Sequence, residues 1–267
     1  MILRHRIAVN GVHLDAVDGR ILVCGIEEPA ASEAITAASR FGGVGQRLTG
    51  RHREYLDVTV KFALRVKASA LSERRALYDQ VVSWAMAARD GAWITVGHRP
   101  GQRLRARLYQ LPPAGDLAEW ASEYPIVFRA YGVPHWQAST PAEIEVANTS
   151  SAQRTLAVGG TDDTVVNVTF ENTSGGQIDT ASIQAGDSRI ELMGLGLMAG
   201  ETLSIAHNSE GILRIRIQDA GGEYRSAMAA RTEASADDLW VSPGSCAVRF
   251  SAGGAGNLAI RCYARYA

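Results

Sequence analysis

Tyr124-Pro-Ile-Val-Phe-Arg-Ala-Tyr131 alternates along its length, then stops at Gly132-Val-Pro-His-Trp136 and gives way to Gln137-Ala-Ser-Thr-Pro141. Alternation with period two predicts a strand that buries one face. A following run of Gly, Pro and small polar residues predicts a connector. The stretch therefore reads as a domain seam, with one domain over residues 1–139 and a second over 140–267. A chain of 267 residues is comfortable as two domains. The two sides also differ in charge. Residues 1–139 hold 18 Lys+Arg and 13 Asp+Glu, net +5, whereas residues 140–267 hold 9 and 15, net −6. That split favours oriented packing between subunits over nucleic-acid binding, for which +5 spread along a domain is weak.

Working back toward the amino terminus, Ile7–Leu14 and Arg20–Cys24 are short apolar runs separated by the turn dipeptide Asp18-Gly19, and Glu27-Glu-Pro29 ends that expected hairpin. From Ala30 to Gly50 the pattern weakens, and Phe41-Gly-Gly-Val-Gly45 is too glycine-rich for a helix interior, so this segment reads as an arm or loop. Tyr55–Leu64 alternates cleanly, with Leu56, Val58, Val60 and Phe62 on one face. It predicts a central strand. One main helix follows, with Ser72 expected as N-cap and Gly91 as the stop. Its apolar stripe is Leu77, Val81, Trp84, Ala85 and Ala88. Trp93–Val96 and Gln102–Tyr109 predict a hairpin in which Arg103, Arg105 and Arg107 share one face. That stripe faces either a polyanion or an acidic neighbour.

Beyond Pro141 the helix signal disappears and short strands recur: Val165–Phe170, Ser182–Ile183, Arg189–Leu192, Thr202–Ile205, Ile212–Ile217, Cys246–Phe250 and Leu258–Tyr263. Turn signals separate them, among them Ser174-Gly-Gly176, Ala199-Gly-Glu201 and Gly253-Gly-Ala-Gly256. Such spacing predicts a β-sandwich. The fold class is thus mainly β with one main helix (α+β).

A search for chemistry yields no catalytic, cofactor-binding or metal site. Gly186-Asp-Ser188 resembles a serine-esterase nucleophile block but falls in an expected β-turn, without the strand and helix that would position it. His5, His13, His52, His98, His135 and His207 never recur at ligand spacing. Asp162-Asp163 and Asp237-Asp238 read as solvated loops. Cys24, Cys246 and Cys262 are odd in number and widely spaced, against a disulfide framework or zinc. Cys246 and Cys262 are candidates to face each other across a terminal hairpin, as buried free thiols. No apolar run approaches the roughly 18–20 residues that span a bilayer, and Met1–Arg6 has a basic tip without the apolar core of a signal peptide. The expectation is synthesis in the cytoplasm without membrane insertion.

The order of arm, strand, helix, hairpin, Tyr124 strand and Pro134-His-Trp136 seam, followed by a small sandwich, resembles the distal tail proteins of long-tailed, siphovirus-type bacteriophages across nearly the whole chain. Ala199-Gly-Glu-Thr-Leu-Ser-Ile205 resembles the family's Gly-Glu turn leading into a strand. Trp240-Val-Ser-Pro-Gly244 resembles its Pro-Gly turn before the penultimate strand, with Ser245 and Cys246 standing where an asparagine is common. The resemblance implies a β-sandwich-like, ring-forming first domain with a belt arm at about 28–50 and a helix at about 72–90, then a galectin-like, carbohydrate-binding-module-like β-sandwich. It implies a non-enzymatic virion protein: a homohexameric hub at the distal end of the tail tube, joining the tube to the tail tip and letting DNA pass. The implied partners are other copies of itself, the tail tube protein, the tape measure protein, a tail-associated hub or lysin protein and a receptor-binding protein. Phe41, Gly42, Gly43 and Val44 of the arm and Arg103, Arg105 and Arg107 are then the candidate interface residues. A rival reading is a glycan-binding module using Phe170, Tyr224, Trp240, Phe250, Tyr263 and Tyr266, most of which alternation places in the core.

Overall fold

The computed structural model describes residues 6–39, 46–66, 70–112, 123–208 and 210–266, with the backbone alone for 35–39 and 46–52. The chain divides into two compact units, residues 1–136 and 137–267. It is mostly β-structure with one main helix.

The first unit contains β1 (Ile7–Val9), β2 (Val12–His13), the short α1 (Leu14–Val17), β3 (Ile21–Glu27), β4 (Ser32–Ser39), β5 (Gln46–Leu64), α2 (Leu71–Met86), β6 (Ala92–Val96), β7 (Gln102–Gln110) and β8 (Tyr124–Ala130). Strands pair antiparallel in the order β2-β1-β6-β7-β8-β5-β3. The buried faces are those the alternation marks: Leu56, Val58, Val60 and Phe62 on β5, and Tyr124, Ile126, Phe128 and Ala130 on β8. Helix α2 buries Leu77, Val81, Trp84 and Ala85, and the Trp84 ring meets Phe128 edge-on at 5.8 Å. Each large apolar side chain so buried contributes about 1.5–3 kcal/mol.

Three local expectations change. The first hairpin turns at Asn10-Gly11, both with positive φ, so the run Ile7–Leu14 splits; β1 pairs with β6 and β3 with β5 instead of with each other. Asn-Gly supplies the left-handed pair a two-residue hairpin needs. Helix α2 begins at Leu71: the Arg74 N–H makes the first helical bond to the Ala70 carbonyl, so Ala70 is the N-cap, its methyl group offers no side-chain cap, and Ser72 lies inside the first turn. At the other end, the Ala88 N–H bonds the Ala85 carbonyl and the Arg89 N–H bonds that of Met86. These i→i+3 bonds end the helix at Met86, and Gly91, at φ +106°, closes the turn that follows.

The arm is a β-ribbon over much of its described length. β4 pairs with the first half of β5, from Ser32 opposite Tyr55 to Ser39 opposite Gln46. Gly50 lies opposite Thr36 at a register shift, where a glycine accommodates a bulge. The second half of β5 continues into the sheet. Phe41, Gly42, Gly43 and Val44 lie outside the described residues.

Strand β9 (Trp136–Ala138) carries the chain across the seam. The second unit contains β10 (Ala142–Val158), β11 (Thr164–Asn172), β12 (Ile178–Ala185), β13 (Ser188–Leu197), β14 (Thr202–His207), β15 (Leu213–Gln218), β16 (Tyr224–Ser226), a 3-10 turn at Met228–Ala230, β17 (Trp240–Val241), β18 (Gly244–Cys262) and β19 (Arg265–Tyr266). Gly253–Gly256 is not a turn between strands. It is the bend of one 19-residue strand, β18, whose first half pairs with β12 and whose second half pairs with β11. Strand β10 runs beside β18 throughout, with register shifts between Val146 and Ser151. The bend folds two sheet halves over one core, in which Phe170 and Phe250 lie 4.8 Å apart. Cys246 and Cys262 sit near opposite ends of β18, both buried and free, rather than across a hairpin; Cys24 is exposed and free.

Candidate assembly surface

Strand alternation decides which side chains of the first unit meet the outside. Leu104 and Ala106 of β7 are buried, so Arg103, Arg105 and Arg107 project together from the opposite face, as the pattern predicts. Trp93 of β6 stands opposite Arg105 and receives two of them. The Arg103 guanidinium lies 4.0 Å from its ring centre and that of Arg105 lies 5.7 Å away. Arg107 is exposed and pairs cross-strand with Arg129 of β8.

Arg129 organises a cluster that sequence reading missed. Its Nε and Nη2 each donate to one oxygen of Asp57 at 2.7 Å. Tyr109 and Tyr55 hold their rings 3.6 and 4.0 Å from the guanidinium carbon, and Tyr131 stands at 5.9 Å. The bonds that Arg129 donates to Asp57 raise its pKa above the usual value. Tyr109 and Tyr131 remain half exposed. The cluster spans β5, β7 and β8, with a register shift between Leu108 and Gln110 next to Tyr109. At the root of the arm, Glu28 accepts a hydrogen bond from Arg99 Nε at 2.7 Å and contacts His98 Nε2.

The second unit clarifies the motifs that lacked a role. Gly186 and Asp187 form a tight turn, and Ser188 opens β13 opposite Ala185. Asp237 is solvated and pairs with Arg231 at 2.9 Å. Asp238 departs from the solvated-loop expectation. It contacts Nε2 of the nearly buried His207 and accepts the Leu239 N–H at 3.0 Å, while His207 Nδ1 lies 3.1 Å from Asn167 Oδ1. The trio ties the end of β14 to the segment before β17. Asn172, the first residue of an Asn-Thr-Ser triplet, is fully buried, and its amide donates to the carbonyls of Gly176 and Leu197, both at 2.9 Å. Burial pushes the Cys262 thiol up to about 11, away from reactive thiolate character. Among the described residues no group of three His, Cys, Asp or Glu is placed to hold a metal ion, and no helix is long and apolar enough to cross a membrane.

Of the aromatics considered for glycan stacking, Phe170 and Phe250 are core residues, whereas Trp240 and Tyr224 are exposed. Those two share no platform. Trp240 pairs with Val165 at the start of β11, while Tyr224 connects through Gln218 and Thr202 to Glu171, six residues further along β11 and three strands away. That is about 20 Å along the strand alone.

This architecture, a helix-bearing β unit with a ribbon arm followed by a β-sandwich, is the fold of the phage distal tail, or baseplate hub, proteins. SPP1 Dit (gp 19.1), a paradigm of the hub adsorption apparatus in Gram-positive infecting phages, superposes with a TM-score of 0.63 at 11% identity, over 98% of this chain and 99% of that one. A chain of the phage p2 baseplate in its activated conformation with Sr gives a TM-score of 0.54 at 6% identity, covering 97% of this chain and 96% of that one. The corresponding structure with Ca gives 0.50 at 6% identity and 97% of each chain. No family model matches the chain, and no curated protein matches it in sequence.

Proposed function

We propose that the chain is a structural hub of a phage tail tip, a homohexameric ring that joins the tail tube to the adsorption apparatus and lets DNA pass through its lumen. The observation that carries this reading is the end-to-end correspondence with SPP1 Dit, which includes both units and covers all but a small fraction of either chain. Local features support it. The β4–β5 ribbon pairs only with itself among the described residues, and a two-stranded ribbon is marginal alone in water. A neighbouring copy would give it a partner. The arm over 28–50, with Phe41, Gly42, Gly43 and Val44, and the stripe of Arg103, Arg105 and Arg107 are the proposed subunit contacts. On this reading the chain is not an enzyme and resides in the virion at the tail tip. Its partners are the tail tube protein, the tape measure protein, a tail-associated hub or lysin protein and a receptor-binding protein.

Light scattering of the purified full chain, with negative-stain imaging, tests the reading. Sixfold rings are the expected result. A strict monomer at every concentration, even in the presence of tube protein, would overturn it.

A further inference from the structure

The outer face of the first unit retains a repulsion that the fold does not require. Arg107 and Arg129 oppose each other directly across β7 and β8, and like charges so placed destabilise a sheet. Along β6, β7, β8 and the Tyr55–Ala63 portion of β5, the outward positions carry Arg103, Arg105, Arg107, Arg129 and Lys61; Asp57 holds Arg129 and Glu27 of the neighbouring β3 holds Lys61, which leaves the β7 end of the face cationic. Arg129 is already held by Asp57 and covered by the rings of Tyr55 and Tyr109. It is a fixed post with little left to offer a phosphate. Arg107, exposed beside it and flanked by Tyr109, is the cation presented outward. A rigid patch of Tyr, Trp and Arg has the composition of a protein-binding hot spot, and its prior ordering lowers the entropy lost on docking.

A complementary surface exists on the same chain. Residues 140–267 carry net −6. On the outward side of β10, β18, β11 and β14 lies an open groove of about 460 Å³ lined by Glu145, Glu171, Asn257, Thr169 and Thr202. Asn257 Nδ2 donates to Glu171 Oε2 at 2.9 Å and orients that carboxylate. Arg261 is engaged mainly by Glu143 and reaches Glu145 only at 3.9 Å, so the groove stays acidic.

We propose that the Arg107–Tyr109 patch of one copy docks into the Glu145/Glu171 groove of another copy. The contact is head-to-tail, pairing two different surfaces, and so propagates into a closed ring or a stack. It rests on the self-assembly reading above and specifies one contact within it.

Charge exchange in the full chain tests the contact. Arg107→Glu removes the repulsion with Arg129, so this variant melts at or above the wild-type temperature while its self-association, followed by sedimentation velocity, weakens by about tenfold or more. Glu171→Arg weakens association similarly. The double variant restores it to within about threefold of wild type, the coupling expected of residues that meet. Glu145→Arg with Arg107→Glu repeats the exchange if Glu171→Arg melts early. A double variant no better than the worse single one, or single variants that assemble normally, overturns this contact and leaves the hub reading standing. A wild-type chain that never assembles removes both.

Discussion

Gly256 lies so close to Phe170 that a Cβ at that position would fall 2.4 Å from the ring Cζ, and 2.2 Å from the carbonyl oxygen of Glu171. Neither neighbour can move aside, since one is backbone and the other a core ring. Gly254 is similarly confined by the Ile178 side chain at 2.9 Å. The bend that lets β18 serve both halves of the sandwich therefore depends on the missing side chains. Gly256→Ala is expected to destabilise the second unit by about 1–3 kcal/mol or more, lowering its melting temperature by several degrees. Gly175→Ala, which meets nothing within 4 Å, is the control. Equal melting of the two variants in calorimetry would refute the account of the bend.

The Glu201 carboxylate accepts the Met198 N–H and an Arg225 Nη2 donor, both at 2.7 Å. The Arg225 bond holds its pKa below the usual carboxylate range. Because the folded value is depressed, the contribution to stability is complete above the unfolded value and disappears as pH falls through the folded one. Wild-type stability should drop on acidification below about pH 4.3, the ordinary Glu value. Glu201→Gln should be less stable at pH 7 by about 1–2 kcal/mol and lose less between pH 5 and pH 3. Parallel pH profiles for the two proteins in urea unfolding would contradict this.

Asp57 is the carboxylate that neutralises Arg129 within its ring of tyrosines. Both side chains are largely enclosed, at 17% and 15% exposure, so removing one partner strands the other. Asp57→Ala is expected to cost about 2 kcal/mol. Arg129→Lys keeps the charge but loses the two-pronged bond and the stacking, and should also destabilise. If Arg129→Lys unfolds at the wild-type urea midpoint, the planar geometry has no role in holding these strands.

How far residues revealed this structure depended on the range of the contacts involved. The alternation in Leu56–Phe62 and Tyr124–Ala130, and the stripe Leu77, Val81, Trp84 and Ala85, are local periodicities, and each side chain is buried where its period puts it. Arg103, Arg105 and Arg107 were legible as one face for the same reason. Strand β10 escaped because Asn148-Thr-Ser-Ser151 interrupts its alternation, at the position where register shifts bend it with β18. Gly253–Gly256 read as a turn because glycine marks both reversal and close approach, and only the neighbouring Phe170 and Ile178 distinguish them. The Arg129 cluster joins residues more than seventy positions apart, through the pairing of β5 with β8. No spacing rule reports such a meeting. The Asn10-Gly11 turn, by contrast, is a clear local hairpin signal, set between the apolar pairs of Ile7–Val9 and Val12–Leu14.

Glu28 closes the root of the arm, with its side chain only 11% exposed between His98 and Arg99. Arg99 in turn lies 5.2 Å from the Trp136 ring, so the contact is backed by a large buried side chain. Glu28→Ala leaves Arg99 without this anion and frees the point where β3 passes into β4. Its effect should be local, because β4 pairs only with β5 among the described residues. Amide exchange at Ser32–Ser39 is expected to accelerate by about tenfold or more, corresponding to roughly 1.4 kcal/mol of lost protection. Amides in α2 should keep wild-type rates. Uniform acceleration across the first unit would mean that Glu28 supports the whole fold, and unchanged rates in β4 would mean that the ribbon is held by its own pairing alone.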